Sequence, residues 1–151
     1  MKDINSFRDD FFFLSNFYLC DIIFNGLKFG SSEAAFQAQK CIDPKDQLPF
    51  TTMTPGQAKK YGKKVKLRED WEEVKVGIMK EVVKAKFDQH PELKQRLIGT
   101  GNLQLTEVNK WHDYFWGVCN GKGKNMLGII LMDLRKTYKE EWTCHSLKHT
   151  S

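Results

Sequence analysis

The chain has 151 residues, of which 40% are hydrophobic and 28% are charged, as in an ordinary globular protein. This length is enough for one domain that buries a core without disulfides or metals, and the four scattered cysteines are expected to be reduced thiols. The net charge of +5 mildly favours anionic partners such as phosphates, nucleotides or nucleic acid. No apolar run approaches ~18 residues and the N-terminus shows no signal-peptide pattern, so we expect a cytoplasmic protein with no membrane partner.

The first part of the chain predicts a β-hairpin followed by a helix. Asn25-Gly26 lies between two apolar runs, which is the strongest short signal of a hairpin, and places strands near 18–24 and 27–30. Ser31 or Ser32 then caps a helix that opens with residues 31–40, SSEAAFQAQK.

The rest of the chain predicts mainly helices, the next of which starts at Thr54-Pro55. The apolar face of that helix holds Ala58, Tyr61 and Val65. The later elements are a helix from about Trp71 to Gln89 with Trp71, Val74, Ile78, Val82 and Ala85 on one face, a helix from Glu92 to Ile98, a strand from Leu103 to Val108, a loop at 117–125 and a helix from Met126 to about Tyr138. The fold class is therefore α+β, a compact and mainly helical single domain over 1–138 with a few short strands, followed by a C-terminal tail at 139–151.

Three polar residues share one stripe of the helix that opens at 31–40. At ~100° per residue, Glu33, Gln37 and Lys40 line up beside a row of small residues. The small residues are Ala34, Ala38 and Cys41. Such a row usually faces inward, which would put a carboxylate, an amide and an amine at the edge of a core. The alternative, which spacing alone favours, is a solvated Glu33–Lys40 pair near a helix N-terminus.

Glu107 lies on the apolar side of the strand predicted at 103–108, together with Leu103 and Leu105. If it is buried, its carboxyl group is a candidate general acid, since burial without a partner raises the pKa of a carboxyl group. If it lies at the strand end, it turns to solvent. The sequence favours this second interpretation when Glu107 is considered alone.

The stretch WHDYFWGVCNGKGKN, residues 111–125, combines an acid, aromatic rings and a glycine loop. Asp113, Trp116 and Gly117 precede the loop, and Asn125 can cap the helix that follows it. The loop itself contains Gly121, Lys122, Gly123 and Lys124. A glycine loop that enters a helix N-terminus is a ready anion site, although an ordinary capped turn is an equal alternative. The spacing is not that of a Walker loop.

The basic run KKYGKKVKLR at 59–68 suggests nucleic acid, but its charges are predicted to cover the outward faces of an amphipathic helix. We therefore favour a solvated face over a nucleic-acid surface. The four histidines show no metal-ligand spacing, and we expect no metal and no cofactor.

An ordered set of residues from about Phe12 to Arg135 resembles the YbiA-like proteins, also called the NADAR superfamily. The matching residues are Leu14-Ser15-Asn16-Phe17, Ser32-Glu33, Phe36-Gln37-Ala38, Lys40, Thr54-Pro55, Ala58, Gly62, Trp71, Met79, Lys86-Phe87, His90-Pro91-Glu92-Leu93, Leu97, Thr100-Gly101, Glu107, Trp111, Asp113, Trp116-Gly117, Gly121, Gly123, Asn125, Leu127-Gly128, Leu131-Met132 and Arg135. Two features depart from the family pattern. Ala34 stands where many members have histidine or another larger residue, and the stretch from Glu107 to Asp113 is one residue longer than in some members.

The resemblance implies an enzyme that hydrolyses N-glycosidic bonds between C1 of a phosphate-bearing ribose and an exocyclic nitrogen of a heterocycle. Implied substrates are phosphoribosylamino-pyrimidine intermediates of riboflavin synthesis, or guanine carrying ADP-ribose, with nucleic acid as the possible carrier. The implied catalytic residues are Glu33, Lys40, Glu107 and Asp113. The implied substrate-binding residues are Ser15, Asn16, Phe17, Gln37, Trp116, Gly117, Gly121, Lys122, Gly123 and Asn125.

Several alternatives remain open from the sequence. Lys40 is the candidate nucleophile of a Schiff-base route, whereas a direct route needs only carboxylates and water. A non-catalytic module that binds ADP-ribose or a nucleotide, and a plain nucleic-acid-binding protein, are the alternatives to an enzyme. We expect a monomer.

Overall fold

The computed structural model describes residues 3–149, with the side chains of residues 3–144. In these residues it contains a two-stranded sheet and a series of helices. The elements are β1 (Leu19–Phe24), β2 (Leu27–Ser31), α1 (Ser32–Ala38), α2 (Pro44–Gln47), α3 (Pro55–Tyr61), α4 (Trp71–Gln89), α5 (Pro91–Gly99) and α6 (Met126–His149), with 3₁₀ helices at Asp9–Leu14 and Leu48–Thr52. The prediction of a mainly helical α+β fold with an N-terminal hairpin is confirmed.

The chain divides into two compact units, which are described separately. One is Ser15–His90, and the other combines Met1–Leu14 with Pro91–Ser151. The first unit contains β1, β2 and α1–α4. The second contains α5, α6 and the loop segments between them.

The hairpin of the Ser15–His90 unit is antiparallel, with Phe24 paired to Leu27. Asn25 and Gly26 both have positive φ, 49° and 84°, as the tight turn between twisted strands requires. The outer edge of β1 is closed by Gln89, whose amide exchanges two hydrogen bonds of 2.8 Å with the backbone of Ile23. The predicted hairpin is thus confirmed, and its edge is closed to pairing at this position.

Helix α1 begins where the sequence predicts but ends earlier. The Ser31 side chain accepts the N–H of Ala34 as its cap. The helix ends at Ala38, and the next three N–H groups make tight bonds to carbonyls three residues back. Lys40 therefore lies in a turn after the helix, which corrects the prediction of a continuous helix through residue 40. After this turn, Asp43 caps α2, which begins at Pro44.

Helix α3 starts with a complete capping box between Thr54 and Gln57, as expected for its Thr-Pro start. It ends at Tyr61, so Val65 and the basic residues after Gly62 lie outside it. The prediction that one helix carries the whole basic run is wrong.

Helix α4 has the predicted bounds, but its buried face is rotated from the predicted one. Val74, Ile78 and Ala85 are only half-buried. The buried positions are Trp71, Met79, Val82, Val83, Lys86 and Phe87. Hydrophobicity could not select this face, because it includes a lysine that is 1% exposed.

In the second unit, the strand predicted at 103–108 is not among the regular strands of the described residues. Leu105 instead forms an isolated parallel bridge with Ile4, whose N–H and C=O bond to Gln104 O and Thr106 N at 2.9 Å. Val108, at the other end of the segment, forms a second isolated parallel bridge with Val118, and neither bridge extends into a strand. The predicted strand is therefore corrected to an extended loop.

Helix α6 continues to His149, so the predicted end near Tyr138 is wrong. Residues 139–149 contain good helix formers and neither glycine nor proline, which explains the extension. On its inner side, Arg135 donates to Thr100 Oγ1 at 2.9 Å and to Leu103 O at 2.8 Å, which ties α6 to the chain after α5. None of the described helices combines the length and apolarity needed to cross a membrane.

Candidate active site

Glu33, Gln37 and Lys40 come together beside α3 in the Ser15–His90 unit. Glu33 and Gln37 are only 8% and 7% exposed, and Gln37 Nε2 donates to Glu33 Oε1 at 2.9 Å. Half-buried Lys40 donates from Nζ to the carbonyl of Gly62 at 3.3 Å. Its Nζ also lies 5.9 Å from the centre of the Trp71 ring. The polar stripe is therefore at the edge of the core, and the solvated surface pair does not describe it.

The pKa of Lys40 is lowered from the ordinary 10.5. Burial is the largest cause, the charge of Glu33 acts in the opposite direction, and the nearby charge of Lys63 lowers the pKa further. A larger share of this amine is consequently neutral near pH 8 than for an exposed lysine. A neutral amine is the form that attacks carbon.

Of the three predicted binding residues at 15–17, Phe17 is exposed, at 36%, and Ser15 is partly exposed. Asn16 is buried, accepts from Ser32 Oγ at 2.9 Å and donates to Met79 Sδ at 3.5 Å. Its carbonyl accepts the N–H of Glu33 at 3.0 Å. Asn16 thus holds the start of α1. Ser15 Oγ accepts the N–H of Phe17 at 3.1 Å, which is a local bond within the segment before β1.

In the second unit, Asp113 organises the loop that carries Trp116. Its Oδ1 accepts the N–H groups of Phe115 and Trp116 at 3.2 and 2.9 Å. The backbone of Asp113 is held at both ends by the side chain of Asn109, at 2.9 and 3.1 Å. Asp113 Oδ1 therefore has a structural role in this loop, in addition to the catalytic role predicted for the carboxylate.

The glycine loop is closed by its own backbone at the start of α6. The N–H groups of Met126 and Leu127 donate to the carbonyls of Phe115 and Trp116, both at 3.0 Å. The first two donors of the helix are therefore occupied, which weakens the expectation of an anion site there. The loop side chains of Lys122 and Lys124 are exposed.

Asn125 does not use its side chain in the way predicted. Its Oδ1 accepts the N–H of Glu107 at 3.0 Å, and its Nδ2 donates to the carbonyl of Leu105 at 2.9 Å. The expected capping role is thus replaced by an anchor for the segment that carries Glu107. Glu107 itself is half-buried, and Gly117 packs so close that an added Cβ would lie 2.3 Å from the Glu107 carbonyl.

Lys86 is one of the residues that match the family, but the sequence analysis assigns it no role in the site. Its Nζ donates to the carbonyl of Ser15 at 3.0 Å and lies 5.6 Å from the Tyr18 ring centre. Burial lowers its pKa to about 8. The signals in the sequence are this match and the apolar neighbours Ala85 and Phe87. No cluster of three or more His, Cys, Asp or Glu side chains suited to a metal ion lies within the described part of the chain.

Two substitutions separate the structural role of Asp113 in the loop from its proposed catalytic role. We expect Asp113→Asn to keep the stability of the wild type because its side-chain oxygen still accepts both N–H groups, whereas Asp113→Ala loses about 1–2 kcal/mol. Thermal unfolding measures both. If the alanine variant is as stable as the asparagine variant, Oδ1 does not organise the loop. A loss of turnover in the stable asparagine variant would assign the carboxylate a catalytic role.

The family model of the NADAR domain matches residues 5–139. This chain belongs to the NADAR family. A protein named N-glycosidase YbiA from Shigella boydii is 39% identical over 135 residues, which cover 87% of this chain and 84% of that protein. A protein from Vibrio vulnificus with a riboflavin biosynthesis name is 36% identical over 85% of this chain, which corresponds to 36% of that longer protein.

A solved NADAR structure supports the same conclusion. The NMR structure of the Escherichia coli protein YbiA has a TM-score of 0.83 and 36% sequence identity, and the match covers 95% of this chain and 89% of that chain. The family and fold implied by the resemblance of sequence are therefore confirmed. The names of the relatives include N-glycosidase activity, which supports glycosidase activity in the family.

Proposed function

We propose that this chain is an N-glycosidase that hydrolyses the bond between ribose C1 and an exocyclic nitrogen of a heterocycle. The observation that carries the proposal is the half-buried amine of Lys40, whose pKa is lowered by burial beside the buried Glu33–Gln37 pair. The relatives named N-glycosidase support it. A module that only binds a nucleotide does not need a lysine with a lowered pKa, because a charged lysine binds phosphate well.

The proposed reaction proceeds through a Schiff base on Lys40. A glycosylamine opens to an imine at C1, and the neutral Lys40 amine adds to this carbon. The exocyclic nitrogen then takes a proton and leaves as the amine of the heterocycle, so that C1 is bound to Lys40 as a Schiff base. Water adds to C1, the C1–Nζ bond breaks, and the sugar leaves with a free aldehyde that closes to the ring.

The acids of this scheme are Glu33, Glu107 and Asp113. Glu33 orients Lys40 and relays its protons, since the charge of this carboxylate acts on the lysine pKa. Glu107 or Asp113 protonates the leaving nitrogen and later activates water. The direct route, in which carboxylates stabilise an oxocarbenium-like transition state, is the competing mechanism.

The proposed binding residues fall into two groups by the support that the structure gives them. Phe17, Trp116 and the loop residues Gly121, Lys122 and Gly123 are proposed to contact the base and the phosphates. Gly117 is buried against the Glu107 carbonyl, so we propose that it shapes the site. Gln37, Ser15, Asn16 and Asn125 make the internal hydrogen bonds described above, so we propose that they act by shaping the site.

The exposed basic run favours a large polyanionic substrate over a free metabolite. Lys60, Lys64 and Lys66 are exposed, and no acid interrupts residues 55–68. Lys63 of the same run acts on the pKa of Lys40, so the positive charge continues to the candidate nucleophile. We therefore propose guanine-linked ADP-ribose in nucleic acid as the preferred substrate, with a riboflavin-pathway ribosylamino intermediate as the alternative.

An activity assay by chromatography and mass spectrometry on both substrates tests the proposal. We expect the combined variant Lys60→Gln, Lys64→Gln and Lys66→Gln to raise KM for the nucleic-acid substrate by about tenfold or more at low salt, with kcat unchanged. A control removes the same number of charges at exposed Lys45, Lys80 and Lys136.

Cleavage of the metabolite alone would reject nucleic acid as the substrate and return the basic run to a solvated surface. Equal effects of the two triple variants would show that net charge, and not this run, is responsible. If neither substrate is cleaved while ADP-ribose binds, the chain is a binding module and the proposed function is wrong.

A further inference from the structure

Gly62 ends α3 and touches two members of the candidate site. Its φ is −61°, an ordinary helical value, so the need for unusual backbone angles does not explain a glycine here. Its carbonyl accepts the hydrogen bond from Lys40 Nζ at 3.3 Å. A Cβ atom on this residue would lie 2.0 Å from Gln37 Oε1 and 2.9 Å from Gln37 Cδ. The glycine is therefore explained by close approach of the Gln37 amide.

The orientation of that amide is set by Glu33. Gln37 Nε2 donates to Glu33 Oε1 at 2.9 Å, and the reversed amide would set two oxygen atoms against each other. Gln37 Oε1 is consequently turned toward Gly62, where it is buried and accepts no hydrogen bond from the described residues. Leaving a buried acceptor without a donor is costly, so the arrangement is one that packing alone would not favour.

We propose that Gly62 is a positioning residue with two roles. Its lack of a side chain leaves room for the Gln37 amide, which binds the Glu33 carboxylate, and the Gly62 carbonyl binds the Lys40 amine. The inference rests on the proposed function, because it assigns these two groups to catalysis. Any side chain at position 62 would push the Gln37 amide away and disturb both ends of the network at once. Neither Gly62 nor Gln37 needs to touch the substrate for this role.

Gly62→Ala is expected to lower kcat by about tenfold or more and to change KM by less than about threefold, since the nucleophile and its carboxylate lose their alignment. The matched control is Gly56→Ala in the same helix, where an added Cβ meets nothing within 4 Å. We expect the control to keep both constants. Wild-type kcat in Gly62→Ala, or an equal loss in both variants, would overturn the proposal.

A double-mutant cycle with Gln37→Ala identifies the contact responsible. Gln37→Ala removes the amide that a methyl group at position 62 would strike, so adding Gly62→Ala to it should cause no further loss of kcat. A further loss of similar size would show that Gly62 acts through some other neighbour. If Gly62→Ala alone does not fold, the same contact predicts that the double variant folds, and an unfolded double variant would overturn the proposal.

The pKa of Lys40 gives a readout that does not depend on activity. In protein with ¹³C-methylated lysines, we expect the NMR titration of Lys40 in Gly62→Ala to move toward 10.5, because an amine that leaves its half-buried position gains water. Gly56→Ala should titrate as the wild type does. An unchanged titration in Gly62→Ala would contradict the positioning role, whereas a shifted titration in a protein that cleaves no substrate would contradict only the proposed function.

Discussion

Lys40→Met is expected to lower kcat for N-glycoside hydrolysis by on the order of 10³-fold or more, because it removes the proposed nucleophile. Lys40→Arg should fail equally, since a guanidinium keeps its proton throughout the accessible pH range and cannot attack carbon. The matched control is Lys45→Met, which removes an exposed lysine outside the basic run. Steady-state kinetics on the preferred substrate measures all three variants.

The pH dependence of wild-type activity also tests whether the Lys40 amine is the nucleophile. Only the neutral amine reacts, so kcat/KM should rise with pH up to the pKa of Lys40, which burial places below 10.5. A variant with methionine at position 40 that keeps more than about a tenth of wild-type kcat would exclude the covalent route. Loss of activity in Lys40→Met with full activity in Lys40→Arg would reduce Lys40 to a positive charge that binds phosphate.

Lys86 is expected to make the protein more stable as the pH rises from 8 to 10.5. Its pKa is lowered by burial from 10.5 to about 8 in the folded chain, so in this window the unfolded chain binds the additional proton. Stability increases with pH wherever the unfolded state binds more protons. The free energy of unfolding is expected to rise by about 3 kcal/mol between pH 8 and 10.5, at ~1.4 kcal/mol for each unit of pKa difference. Below pH 8 both states are protonated, and the cost of burying the charge is constant.

Denaturant unfolding at several pH values measures this effect as a difference between wild type and Lys86→Met. Other groups titrate in both proteins, so their effects cancel in the difference. The free energy of unfolding of the wild type should therefore rise relative to that of Lys86→Met between pH 8 and 10.5. Lys80→Met, an exposed lysine of the same helix, serves as the control. Parallel pH profiles for the wild type and Lys86→Met would show that Lys86 titrates as it does in water.

The elements that sequence predicts well are those with strong local signals. The hairpin follows from Asn25-Gly26, and α3 starts at its Thr-Pro cap because these residues fix the local backbone by themselves. The end of α1 at Ala38 is not marked by a glycine or proline in residues 38–43, so the sequence does not predict the change to bonds three residues back. The strand predicted at 103–108 is not formed, because this segment pairs through two isolated bridges, Leu105 with Ile4 and Val108 with Val118, and Ile4 is distant in sequence.

The candidate site was predictable in its residue types and less so in its contacts. The helical stripe placed Glu33 beside Gln37, which the structure bears out. The role of Gly62 could not be derived, because it depends on the close approach of two elements that are distant in sequence. The burial of Lys86 could not be predicted either, because a long charged side chain in a helix is usually solvated.

Borohydride trapping tests the covalent route through Lys40 most directly. The wild type is mixed with the substrate that it cleaves, reduced with borohydride, and examined by intact-mass and peptide mass spectrometry. We expect an added ribose-phosphate or ADP-ribose mass on the peptide that contains Lys40, and no addition in Lys40→Met. Full turnover without an adduct would contradict the Schiff base and favour direct hydrolysis, and an adduct on Lys86 would transfer the role of nucleophile to the buried lysine.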